Sequence, residues 1–91
     1  MGVKKIDDET LKIYGYIISS SYRSKSLKAL ESENKTPTAI ANDADIKINH
    51  ISKVLRELKE KNLVVCLNES NRKNRIYQIT ELGKEIVKNL E

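Results

Sequence analysis

Five polar side chains stand close together between residues 49 and 56: Asn49, His50, Ser52, Lys53 and Arg56. An asparagine amide can pair bidentately with adenine, and lysine or arginine can reach guanine N7 and O6. Arg56, further along, has the reach for a base or a phosphate. A second basic group, Arg72, Lys73 and Arg75, can lie along a phosphate ridge or put an arginine into a narrow minor groove. Thr38 follows the only proline at a predicted helix start, an end that can meet a phosphate. The plain alternatives are a solvated helix face for the first group and a charged turn guarding a strand edge for the second. For Thr38 the plain alternative is ordinary first-turn helix chemistry.

Charge placement supports the first set of readings. The net charge is +4. Residues 1–46 carry seven basic and seven acidic side chains, whereas residues 47–91 carry ten and six. The whole excess lies in the half that holds Asn49 to Arg75, which suits a polyanionic partner.

Catalytic chemistry finds little support. His50 is the only histidine and Cys66 the only cysteine, so neither a His-rich nor a cysteine-based metal centre can form. Cys66 stands in an apolar run, as a small core residue would. The glycines are Gly2, Gly15 and Gly83, which leaves no glycine-rich phosphate loop. We expect no catalytic residues, no metal and no cofactor. The single cysteine and the lack of an apolar leader point to the cytoplasm. The longest apolar run, Leu63 to Leu67, is too short for a membrane span.

The elements that must position these residues follow from capping and periodicity. At 91 residues the chain predicts one domain, 1–91, with a modest core. Terminal helical segments are expected over 7–33 and 80–90. After a loose start from Met1 to Lys5, Asp7 or Asp8 caps a helix, with Ile6 as a hydrophobic staple. Leu11, Ile13, Tyr14, Ile17 and Ile18 give it a broad apolar face. The serines at 19–21 predict a boundary, with a second helix running to about Glu33; one long bent helix is the alternative. Thr36 and Pro37 open the next helix, whose apolar side is Ala39, Ile40, Ala41 and Ala44. Another helix begins at Ile48 or Asn49. Its Ile48, Ile51, Val54, Leu55 and Leu58 cover roughly 120° at about 100° per residue, with Asn49, Lys53, Arg56 and Glu60 opposite. Leu63 to Leu67 and Arg75 to Ile79 predict a hairpin over about 63–79, with Ile76 and then Tyr77 packing inward. Thr80 caps a last helix with Leu82, Ile86, Val87 and Leu90 on one side. Gly83 is costly inside it unless it permits close approach to the sheet.

This ordered set resembles archaeal and bacterial winged helix-turn-helix transcriptional regulators of the MarR/ArsR type. The matching pieces run from about residue 20 to residue 90. They are Tyr22-Arg23 with Leu27 and Leu30, TPTAIA at 36–41, NHISKVLRELKEKNLV at 49–64 and RIYQITELGKEI at 75–86. The resemblance implies an α+β, mostly helical fold: a helix-turn-helix at about 36–62, a two-stranded β-hairpin wing at about 63–79 and a closing helix. Such proteins often carry glycine after each helix of the pair. Here those places hold Asp45 and Asn62, which also enter the left-handed region more readily than most residues.

The implied function is sequence-specific binding of double-stranded DNA, with the second helix in the major groove. Thr38, Asn49, His50, Ser52, Lys53, Arg56, Arg72, Lys73 and Arg75 are the expected contacts. Arg23 and Lys25 touch the backbone from the side in this picture, a surface salt bridge being the alternative for Arg23. A homodimer is expected, with Leu11, Tyr14, Ile18, Ile86 and Leu90 at its interface. Tyr14, Tyr16 and Tyr22 are assigned to core or interface. Two other uses of the same fold compete: a protein-docking module and an architectural protein without sequence preference. No residue identifies a small-molecule effector.

Overall fold

The structure, a computed structural model, describes residues 7–90. Ile6 and the stretch before it lie outside the described residues. Asp7 caps the first helix, its Oδ1 accepting from the Thr10 amide at 2.8 Å, and α1 runs Asp8–Ile18. The serines then break the chain as expected. Ser19 Oγ donates to the Tyr16 carbonyl, and Ser20 Oγ accepts from the Arg23 amide to open α2, Ser21–Ala29. Two helices form in place of one bent helix. The second stops short of Glu33, because residues 31–34 are polar and exposed and give a further turn nothing to bury.

Thr36 and Pro37 open α3, Pro37–Ala44, and α4 runs Ile48–Glu60. Both helices end by one device. Asp45 and Asn62 take left-handed φ of 57° and 61°. The next amide folds back onto the last turn, Ile46 N to Ala41 O at 2.9 Å and Leu63 N to Leu58 O at 3.0 Å. This is the 6→1 bond of a helix-ending Schellman motif. In each case the next residue, Ile46 or Leu63, is buried. The two expected glycine replacements therefore work as an aspartate and an asparagine. A third left-handed residue, Asn74, stands in the hairpin.

The hairpin pairs β1, Val64–Cys66, with β2, Tyr77–Ile79, antiparallel, with Val64 opposite Ile79 and Cys66 opposite Tyr77. Both strands are shorter than expected, and of the two residues expected to pack in the second, Tyr77 does and Ile76 does not. Tyr77 and Ile79 point inward while Ile76 is exposed. Lys35 fixes that phase. Its backbone exchanges both hydrogen bonds with Tyr77, at 3.1 and 2.9 Å, so the connection before α3 covers the other side of β2.

Thr80 opens α5, Glu81–Lys88. Its hydroxyl accepts from the Gly83 amide at 3.0 Å and donates to the Asn62 carbonyl at 2.8 Å, tying the start of α5 to the end of α4. A Cβ at Gly83 would collide with the Leu63 carbonyl and lie 2.6 Å from Ile79 Cγ1. Glycine is there for close approach to the sheet, as expected.

The core joins Ile17, Leu27, Leu30, Ile40, Leu55, Leu58, Leu63 and Ile86. Two assignments change as a result. Ile86 is fully buried within the chain and has no surface to offer a second copy. Ile48 lies 56 % exposed at the start of α4, and Ile46 takes the inward place expected of it. Tyr22 is exposed, which leaves the interface as the alternative given for it. Of the other residues assigned to a dimer face, Leu11 and Ile18 are exposed and Tyr14 and Leu90 half-buried. The Tyr14 hydroxyl donates to the Asn89 carbonyl at 3.0 Å. Among the described residues, no helix is long and apolar enough to cross a membrane.

Candidate nucleic-acid interface

The N-terminus of α3, the middle of α4 and the hairpin enclose a groove of about 740 Å³. Thr36 to Thr38 form one wall, Ser52, Arg56 and Lys59 the floor, and Arg72, Asn74 and Arg75 the other wall. Three segments far apart in sequence thus bring Thr38, Ser52, Arg56, Arg72 and Arg75 together. Asn49, His50 and Lys53 are exposed on α4 but do not line this groove. Lys73 is exposed in the hairpin loop.

The cations around the groove are not equivalent. Arg75 Nε donates to the Asn71 carbonyl at 2.7 Å and Nη2 to the Glu69 carbonyl at 3.3 Å. Its guanidinium is thereby committed to shaping the loop. Asn68 does similar work, its Oδ1 accepting from the Ile76 amide and its Nδ2 donating to the Asn74 carbonyl. Lys59 is ion-paired with Glu69. The Glu69 carboxylate raises the Lys59 pKa, and Lys59 holds the Glu69 carboxyl below its usual range. Arg56 and Arg72 find no ion-pair or hydrogen-bond partner among the described residues. Their donors are the ones left open beside the groove.

Among the groove residues outside the expected contacts are Lys59 of α4 and Asn74 of the hairpin. Lys59 had a legible signal, since it follows Ser52 by seven residues and so lies on the same line of the helix. Asn74 had a weaker one, because a left-handed asparagine in a loop is visible only once the turn is known. Glu60, placed in the polar stripe, instead lines a cleft against α1 with Lys12, Ile13 and Tyr16. His50 stacks at a tilt on Tyr22, with ring centroids 5.6 Å apart.

Arg23 takes the salt-bridge alternative. Its Nε meets Glu57 Oε1 at 3.1 Å, Nη1 donates to the Tyr16 carbonyl at 3.0 Å, and the guanidinium lies 3.7 Å over the Tyr16 ring. The hydrogen bond to Glu57 favours the charged form and raises the Arg23 pKa against the opposing effect of burial. The clamp joins α1, α2 and α4 and leaves Arg23 little to offer a phosphate. Lys25 is exposed. Cys66 is half-buried with its Sγ 3.6 Å from Asn68 Oδ1. No three His, Cys, Asp or Glu side chains among the described residues gather as a metal site.

Several solved structures share this fold. TubR from Bacillus thuringiensis serovar israelensis, bound to 24 bp of tubC, superposes with a TM-score of 0.76 at 15 % identity, over 97 % of this chain and 96 % of its own. Staphylococcus aureus MepR in a DNA complex gives 0.70 at 20 % identity, over 91 % and 68 %. The zinc-responsive MarR family member ZitR from Lactococcus lactis gives 0.65 at 24 % identity, over 76 % and 49 %. The chain thus spans about half the length of ZitR and nearly all of TubR. No curated protein sequence matches it. The sequence model described as winged helix-turn-helix matches residues 23–91, from the Arg23 clamp through the helix pair, hairpin and last helix, and the chain belongs to the winged helix-turn-helix family.

Proposed function

We propose that the chain is a transcriptional regulator that binds double-stranded DNA sequence-specifically, acting as a single domain and as a homodimer. The observation that carries this is the groove in which Arg56 of α4 and Arg72 of the wing stand open beside the N-terminus of α3. On this reading α4 enters the major groove, with Asn49, His50, Ser52 and Lys53 towards the bases. Arg72 and Lys73 take backbone phosphate or the minor groove, and Arg75 holds the wing in shape. MepR and TubR were each solved with DNA, which is consistent with this use of the fold. The exposed Leu11 and Ile18, seven residues apart on one side of α1, are the proposed contact between copies, with Tyr14 and Leu90 beside them. We assign the protein no catalytic role.

The test is a paired set of variants on one duplex. Lys53→Ala with Arg56→Ala removes a base-directed pair and should weaken specific binding by about tenfold or more, since a good base contact is worth roughly 1–3 kcal/mol. It should also relax base preference. Neutralising Arg72 and Lys73 should weaken binding to all sequences and flatten the salt dependence, by about one released counterion for each phosphate the wing no longer neutralises. A folded double variant with unchanged affinity and preference, or a wing variant with an unaltered salt slope, overturns the corresponding half of the proposal.

A further inference from the structure

Ile48 is the first residue of α4 and is 56 % exposed, while Ile51, Val54, Leu55 and Leu58 of the same helix are all buried. The backbone dictates the difference. Left-handed Asp45 ends α3 and turns Ile46 into the core. Lys47 is extended, with φ −65° and ψ 140°, and residues on either side of this linking position meet different surroundings. Ile46 faces the core, whereas no element covers the first turn of α4 over Ile48. Lys47 also supplies no side-chain cap, although capping residues are strongly preferred there. The helix start thus forgoes both a side-chain cap and burial of its first residue, and local rules are broken in this way most often where a site has its own demands.

The surroundings name what such a side chain would meet. Asn49 and His50 are exposed beside it, and the His50 ring is backed by Tyr22 at 5.6 Å. Four residues on, one helical turn away, Ser52 lies on the floor of the basic groove. Isoleucine is stiff at χ1, so little side-chain freedom is lost when its methyl groups are held against a partner. The apolar group that unmodified DNA presents in its major groove is the C5-methyl of thymine. We propose that Ile48 is a specificity-determining residue that packs against a thymine methyl beside the bases met by Asn49 and His50. This rests on the reading of α4 as the helix that enters the major groove.

The full chain should be titrated against the duplex recovered from a random-sequence selection, and against duplexes in which each thymine in turn is replaced by deoxyuridine. One thymine in each half-site should weaken binding about three- to fivefold on losing its methyl, the value expected for one buried carbon. Ile48→Ala, still folded by thermal melting, should bind the thymine and deoxyuridine duplexes alike, while Ile48→Val should keep the discrimination. A wild-type protein with clear sequence preference but indifferent to every deoxyuridine overturns this inference alone. So does an Ile48→Ala variant that keeps the wild-type thymine preference. Binding without any sequence preference overturns the regulator reading and this inference together.

Discussion

Two arginines show how neighbours decide what a basic side chain does. Arg23 is enclosed by Glu57, the Tyr16 carbonyl and the Tyr16 ring, so its charge holds three helices together. Arg56 has no such partner among the described residues, and its donors stand open beside the groove. The sequence shows both as equal positive charges, and the Arg23–Glu57 pair spans 34 positions, beyond any local pattern. Helix caps are easier to read because they act within three residues. Asp7 is one, and hydrogen bonds from Thr10 hold its carboxyl below the usual carboxylate range. A lowered folded-state value stabilises the fold above the unfolded pKa, near 4, and that stabilisation is lost as pH falls through the folded value. Asp7→Asn keeps a capping side chain but cannot titrate. Wild type should therefore melt above Asp7→Asn at neutral pH, with the gap closing as pH falls below about 4. Thermal melts of both proteins across that range check this, and a gap that does not move with pH contradicts it.

At the scale of elements, close approach between α5 and the hairpin is the tightest constraint. The Leu63 carbonyl that a Cβ at Gly83 would strike already accepts the Thr80 amide at 3.0 Å, so it cannot retreat without losing that bond. Gly83→Ala gains about 1 kcal/mol of helix propensity and meets an overpacking cost of about 1–3 kcal/mol. The backbone clash should win, leaving a net loss of up to about 2 kcal/mol. Thermal unfolding should show it as a fall of roughly 4–8 °C per kcal/mol; an unchanged or raised midpoint would contradict the packing described. This glycine was legible in the sequence, as were Thr36-Pro37, Asp45, Asn62 and Thr80, because each carries a single backbone meaning. The phase of β2 was not. A three-residue strand offers too few alternations to choose between Ile76 and Tyr77, and what chooses is Lys35, paired from 42 positions away. The inward Ile46 and outward Ile48 escape the sequence for a related reason, since helical periodicity says nothing about where neighbouring elements stop covering a helix.

The whole molecule brings segments 36–38, 52–59 and 72–75 together around one groove, with Arg56 and Arg72 open beside it. Order along the chain was enough to anticipate that gathering, because helix pair, hairpin and closing helix have few ways to pack. It was not enough to separate the open arginines from those spent on Glu57, Asn71 and Glu69, a distinction that exists only in three dimensions. Winged helices serve several uses, so the central claim is that this one reads DNA sequence, as a pair. Selection of the full chain on random-sequence duplexes, followed by titration of the recovered site against scrambled DNA, tests that claim most directly. The account predicts an enriched pseudo-palindrome with half-sites about one helical turn apart, bound at least about a thousandfold more tightly than scrambled DNA. Binding with no enriched sequence, or no binding at all, would contradict it.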